Sequence, residues 1–385
     1  MVNGAGEDDP ECGMDRFGVE YRGYSAGARM LEGQMGSEVN PGEPASSVPD
    51  RVRQRFPGIS PRAYEHPADR SALAALRKLG GFDDALKVMA GVFRERSLRL
   101  VHLASSVRVG PTQFSELHDM ITDAARALDL VPAPEVYVQQ NPAASAMTLG
   151  IDRPWIVVTT GALDLFDEEE LRFVIGREVG HVLSGHGVYR TMLFQLVALA
   201  ERVVWIPIGG WGLRAVVFGL EEWQRSAELS GDRAGLLVGQ DVGAALRAHM
   251  KTAGGSRLRQ MDAAAFLAQA EDYSSSAGPG DSIAKVLNLV GRSRPFAVHR
   301  AAELRAWVVD GAYARILVGD YPRRVDDASV SWREEVAETI RGYRDRAESS
   351  SDPLVGFLRD VATGAGDLTG DVATRLRQRL TRPRL

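Results

Sequence analysis

Apolar positions recur at helical spacing through most of this chain and switch to a strand-like pattern in one short stretch. Ala72, Leu73, Leu76 and Leu79 open the first periodic segment. Phe114, Leu117, Ile121, Ala124, Ala125 and Leu128 then repeat the i, i+3, i+4, i+7 stripe that lays one helical face against a core. That helix ends before Pro132, whose ring and missing N–H cannot continue it. Between Pro134 and Gly161 the period shortens. Val136-Tyr137-Val138, Ala146-Met147-Thr148-Leu149 and Trp155-Ile156-Val157-Val158-Thr159 predict three short strands, parted by Asn-Pro and Asp-Arg-Pro turns. Asp167-Glu168-Glu169-Glu170 sets carboxylates at the positive end of the next helix, which carries Phe173 to about Ser184. Glu221 to Val238 and the stretch from Phe266 to Tyr273 are helical again. The pattern predicts an α+β fold, mostly α, with a small β-sheet beside the acid-capped helix.

The flanks read differently. Residues 1–55 are rich in Gly, Glu, Pro and Ser with no sustained apolar period, which predicts a disordered leader ahead of a folded domain over 56–348. Ser349-Ser350-Ser351-Asp352-Pro353 marks a hinge before a basic tail, 349–385, ending in Arg375, Arg377, Arg379, Arg382 and Arg384. Leu193 to Leu220 is strongly apolar, yet Glu201, Arg202 and Arg214 charge it and Pro207, Gly209 and Gly210 break it. A spanning helix takes about 20 nearly charge-free residues. Two core helices joined at Ile208-Gly209-Gly210 are therefore expected ahead of a membrane hairpin, and a peripheral membrane association stays open.

Charge and cysteine content narrow the function classes. A net charge of -5 with no basic stripe gives nucleic acid no purchase and points to a protein or peptide partner. Cys12, the one cysteine, can form neither an internal disulfide nor a thiolate metal site, and no apolar signal segment opens the chain. A cytoplasmic location, or the cytoplasmic face of a membrane, is the expectation.

The acid-capped helix carries the candidate chemistry. A zinc peptidase helix sets two histidines at i and i+4, so that both imidazoles reach one ion, with a glutamate after the first as general base. Here the segment reads Gly176-Arg177-Glu178-Val179-Gly180-His181. Glu178 stands where the base belongs and His181 where the second ligand belongs, while Gly180 permits close helix packing. Glu-x-x-His alone is a common pattern. The second block, Arg225-Ser226-Ala227-Glu228 with Asp232, lies on another helix, Glu228 coming 47 residues after His181. Its two carboxylates at i and i+4 share one helical face, one suited to ligation and the other to orienting a ligand.

With these blocks in order, the chain resembles the zinc metallopeptidases of the CaaX prenyl protease and HtpX heat-shock protease type, the gluzincins. That family shows Asn-Ala-x-x-x-Gly, His-Glu-x-x-His, Arg-x-x-Glu-x-x-x-Asp, then His-Pro followed by an arginine. This chain offers Ser145-Ala146-Met147-Thr148-Leu149-Gly150, Arg177-Glu178-Val179-Gly180-His181, Arg225 to Asp232, and Arg294-Pro295 with Arg300. The resemblance runs from about Pro57 to about Trp307 and implies a zincin-like metallopeptidase domain. It implies one zinc site with His181 and Glu228 as ligands, and Glu178 as catalytic base. It also implies that Ala146, Met147 and Thr148 form an edge strand along which an extended peptide lies. Arg177, Asp232 and Arg294 then stand behind the ligands, orienting them or pairing with their charges. Three positions depart from the family: Ser145 replaces an asparagine, and Arg177 and Arg294 each replace a histidine.

Arg177 changes the chemistry. A guanidinium has five donors and no lone pair to offer, so it cannot ligate zinc, and its charge repels the ion. Its alternative role is to sit as the positive charge among Glu178, Glu228 and Asp232, an ion-pair network in place of the metal. His186 falls five residues after His181, off its face, and with His299 is read as a core or surface histidine. Without an activated water, Glu178 has no competent nucleophile to deprotonate. Two functions follow: a metalloendopeptidase impaired by Arg177, or a catalytically inactive pseudoenzyme that binds peptides or proteins. A small-molecule hydrolase built on another catalytic triad is a third class, ranked behind these two.

Overall fold

The strand-like runs do form a sheet, and a fourth strand joins it. In the computed structural model of the chain, which describes residues 52–77, 95–202, 210–275 and 296–327, β1 (Val107–Arg108), β2 (Glu135–Gln139), β3 (Ala146–Leu149) and β4 (Trp155–Thr159) are ordered β1-β2-β4-β3. β2 and β4 run parallel, Val138 opposite Val158, and β3 returns antiparallel with Ala146 opposite Val158 on its other side. β3 is thus an outer strand of the sheet, as the edge-strand reading requires. β1 has only two residues, both exposed, and so carries no periodic signal that a sequence could show.

Eleven α-helices occur among the described residues: α1 (Pro67–Arg77), α2 (Glu95–Ser105), α3 (Ser115–Ala127), α4 (Thr160–Leu165), α5 (Glu168–Leu183), α6 (Gly187–Arg202), α7 (Gly210–Gly239), α8 (Val242–Gly254), α9 (Ala263–Ser275), α10 (Ala297–Val309) and α11 (Ala312–Leu317). The fold is mostly helical with a small mixed sheet, as expected. α5 begins on a full capping box. Asp167 accepts from the Glu170 amide and Glu170 accepts from the Asp167 amide, both at 3.0 Å. Such a cap contributes about 1 kcal/mol by satisfying donors that the helix leaves over. Glu170, fully buried, also receives Lys251 at 2.5 Å and Arg247 at 3.2 Å, which ties α8 to the start of α5.

Two apolar clusters hold these elements. One joins α3, α5, α8, α10 and the sheet through residues such as Ile121, Ile156, Val179, Ala248 and Leu304. The other packs Leu73 and Leu76 of α1 against Tyr189 and Leu196 of α6 and Leu220 and Trp223 of α7. α7 starts well before Glu221, because Val216 and Leu220 already bury themselves in that second cluster. Of the expected junction Ile208-Gly209-Gly210, Gly210 opens α7, and 203–209 are outside the described residues. No helix among the described residues is long and apolar enough to cross a membrane.

α5 and α7 lie against each other over the residues that matter. A Cβ at Gly180 would stand 2.2 Å from the Cβ of Ala234, far inside contact distance, so only glycine lets the helices approach this closely. At the N-terminal side, contacts reach back into the expected leader: Arg53 donates to both oxygens of Glu169 at 2.5 and 2.6 Å. The rest of that leader, 1–51, and the expected basic tail lie outside the described residues.

Candidate functional site

Helical spacing does what the sequence implies on α5 and α7. Arg177, Glu178 and His181 face α7, and Glu228 and Asp232 face back, all of them buried. Arg177 Nη2 donates to Glu228 Oε2, and Arg177 Nε lies 2.8 Å from Asp232 Oδ1, near in distance though poorly aligned for a hydrogen bond. Asp232 is gripped from the other side by Arg300 of α10, Nε to Oδ2 at 2.8 Å and Nη2 to Oδ1 at 2.5 Å, the paired geometry that makes arginine–carboxylate contacts strong. Arg300 also lies 3.6 Å from Glu228.

A third arginine enters from α6. Arg190 Nη1 donates to Glu178 Oε2 at 2.9 Å, and its Nη2 donates to Glu228 Oε1. Glu178 Oε2 further accepts from the Thr148 hydroxyl of β3 at 2.8 Å, a hydroxyl also 3.1 Å from the Glu178 carbonyl. Formally, three arginines (177, 190 and 300) meet three carboxylates (178, 228 and 232), so the buried charges balance. Burial opposes the charge on Arg190, and Glu178 and Glu228 outweigh it, holding the guanidinium protonated. Burial would also raise the Asp232 carboxyl, but Arg300 and Arg177 more than offset it, leaving Asp232 below the usual carboxylate range.

His181 has its own support. Its Nδ1 lies 2.9 Å from Nδ1 of His186, whose Nε2 is 3.3 Å from Asp69 Oδ2. Asp69 also accepts from Trp223 Nε1 at 2.9 Å and Ser230 Oγ at 2.7 Å. Burial would raise the Asp69 carboxyl, but His186, Ser230 and Trp223 together hold it low. His186 Nε2 stands close to the Asp69 carboxylate without an aligned hydrogen bond to it. His181 Nε2 has no hydrogen-bond partner. Burial, with Arg190 nearby, drives the His181 pKa well below the ordinary value and keeps the ring neutral. Gly231 makes room for that ring: a Cβ there would lie 2.4 Å from His181 Nε2.

The expectation that His186 points away from His181 does not hold. Helical extrapolation fails because α5 ends at Leu183 and the chain turns through Gly185 at φ +66°, bringing the second ring back. Asp69 and Arg190 carried no motif. Arg190 did leave a trace, a charged residue among Val188, Tyr189, Met192 and Leu193, since a charge on an apolar helix is rarely buried without a partner. His249 of α8 also belongs to the site: its Nε2 is 3.8 Å from Asp232 Oδ1, and burial pushes its pKa down to about 3. A cavity of 30 Å³, room for about two waters, lies between β3 and α5, α8 and α10, lined among others by Ser145, Ala146, Arg177, His249, Thr252 and Arg300. Ala146 and Thr148 are buried and Met147 is half-buried. Arg294 lies outside the described residues, whereas Arg300, the arginine that closes the family's last block, is on Asp232.

These residues do not fit a zinc ion. Arg177 offers no lone pair at the first ligand position, both oxygens of Glu228 are taken by arginines, and no group of three His, Cys, Asp or Glu side chains among the described residues converges to hold a metal.

The comparisons with known proteins agree with the fold and the order of the blocks. The model of Peptidase family M48 matches residues 111–308, which include β3, α5, α6, α7 and Arg300. The plastoglobule-localized metallopeptidase 48 of Arabidopsis thaliana, a chloroplast protein, is 34% identical over 267 residues, covering 68% of this chain and 77% of the relative. Protease HtpX homologs match over less: 32% identity over 114 residues for Caldanaerobacter subterraneus and 29% over 115 for Methanothermobacter thermautotrophicus, spanning 38% and 44% of those proteins. No solved structure matches. The fold and the order of the sequence blocks are those of a zinc-metallopeptidase scaffold, and the chain belongs to peptidase family M48.

Proposed function

We propose that this M48 member works as a metal-free pseudopeptidase, a protein that holds an extended peptide or protein segment along β3 without hydrolysing it. One observation carries the reading: Arg177 occupies the first ligand position and is paired to Glu228, the residue that the family uses as its acidic ligand. β3 is an outer strand of the sheet, the place where a peptide adds by backbone hydrogen bonds. A cation fixed in the protein substitutes for the ion in balancing the carboxylates, so the fold does not depend on the metal. The site of action we propose is the cytoplasm or the cytoplasmic face of a membrane, supported by the single cysteine, Cys12. Phe194 and Phe218, 43% and 47% exposed on α6 and α7, support a peripheral membrane contact.

A second reading is the activity of the family itself, zinc-dependent hydrolysis of peptide bonds with Glu178 as base. It is favoured by two buried atoms without hydrogen-bond partners, His181 Nε2 and Glu178 Oε1, which face the chemistry a peptidase would need. Zinc analysis of the purified protein, with binding and cleavage of an unfolded protein such as casein in the presence and absence of chelator, separates the two. Binding without cleavage, unchanged by chelator and without stoichiometric zinc, is the expected result. Stoichiometric zinc with chelator-sensitive cleavage establishes the hydrolase instead.

A further inference from the structure

Glu178 and Glu228 share one cation. Arg190, in the first turn of α6 and 1% exposed, gives one arm of its guanidinium to each carboxylate, Nη1 to Glu178 at 2.9 Å and Nη2 to Glu228. These are the carboxylates that the family resemblance makes base and ligand. Arg177 reaches only the other oxygen of Glu228, and Asp232 beyond it. We infer that Arg190 is the residue that keeps this site free of metal, an internal cation standing between base and ligand, and that a histidine returned to position 177 does not by itself make a zinc site. The inference rests on the metal-free reading above.

The charge arithmetic supports it. With Arg177, Arg190 and Arg300 set against Glu178, Glu228 and Asp232, replacing Arg177 by a neutral histidine leaves one negative charge uncompensated. Replacing Arg190 by methionine as well leaves two, the charge of a divalent ion. The same pair of changes supplies the ligands. Residues 177 and 181 lie at i and i+4 on one face of α5, His181 Nε2 has no hydrogen-bond partner, and Glu228 loses the two guanidinia that hydrogen-bond its oxygens while keeping Arg300 at 3.6 Å. Two histidines and a glutamate are a sufficient protein set for zinc.

The experiment uses the full chain in three forms: the parent, Arg177→His, and Arg177→His/Arg190→Met. Each is equilibrated with zinc, passed through a weak chelator, and assayed for zinc per chain and for thermal midpoint with zinc or magnesium. The parent and Arg177→His are expected to come through without stoichiometric zinc. The double variant should keep about one ion per chain and melt higher in zinc but not in magnesium. If Arg177→His alone holds zinc as well as the double variant, Arg190 is not the block and the inference is overturned. A folded double variant without zinc overturns it too. Should the double variant not fold without metal, it is refolded in either ion: helical circular dichroism regained with zinc alone supports the inference, and failure to regain it counts against it. Stoichiometric zinc in the parent would instead sink the metal-free reading, an outcome distinct from these.

Discussion

Arg300 holds Asp232 by two parallel contacts, 2.8 and 2.5 Å, across the gap between α10 and α7. Both groups are buried, so losing one strands the other's charge in a medium that solvates it poorly. Arg300→Leu is expected to lower unfolding free energy by about 3–5 kcal/mol, the usual cost of breaking a buried pair from one side. Arg300→Lys should recover part of this, since an ammonium cannot reproduce the two-pronged fork. Denaturant midpoints of the three proteins check it.

The hydroxyl of Thr148 links the edge strand to Glu178. Thr148→Val keeps the shape and removes one of the two donors to Glu178 Oε2, Arg190 remaining, at a cost of about 1.5–3 kcal/mol, the range for a hydrogen bond to a charged group. Thr148→Ser should restore most of that stability. A loss in Thr148→Ser with none in Thr148→Val would show that packing of the methyl group, and not the hydrogen bond, matters here.

Close helix packing makes a separate prediction. A methyl group at position 180 meets Ala234 and one at position 231 meets the His181 ring, both far inside contact distance. Gly180→Ala and Gly231→Ala should each destabilise by about 1–3 kcal/mol through overpacking. Gly231→Ala should also shift the imidazole NMR signals of His181 and His186, whereas Gly180→Ala should perturb them less.

Acid stability follows from the buried histidines. His249 has a folded pKa of about 3, and His181 lies well below its ordinary value, because burial penalises the charged ring. In the unfolded chain both rings take up protons below about pH 6.5. The unfolded state therefore binds more protons as pH falls, and the stability these groups contribute, complete above pH 6.5, is lost as pH drops toward 3. Each such proton steepens the loss by about 1.4 kcal/mol per pH unit. Asp232, depressed in the folded state, extends the loss below its ordinary value of 3.8. Unfolding measured from pH 7 to pH 4 should show a shallower slope in His249→Gln than in the parent.

The sequence by itself determined the periodic elements and the order of the family blocks. β3 and β4 begin and end where their apolar runs do, α5 starts at its acidic cap, and the i, i+4 spacing of Arg177 with His181 and of Glu228 with Asp232 sets each pair on one helical face. These are local properties, fixed by backbone period and capping chemistry within one element. It also fixed that position 177 cannot ligate a metal, since that depends on the guanidinium group alone. Only the tertiary structure decided what surrounds those faces. Arg190, Asp69 and His249 come from α6, α1 and α8, and no spacing within a helix relates them to Glu178, His181 or Asp232. His186 shows the limit most directly, because its ring returns to His181 only after a glycine turn has ended the helix that would have carried it away. Long-range placement depends on how separate elements bury their apolar faces against one another, and the pairing of buried charges is then settled by whichever partners that packing brings within reach.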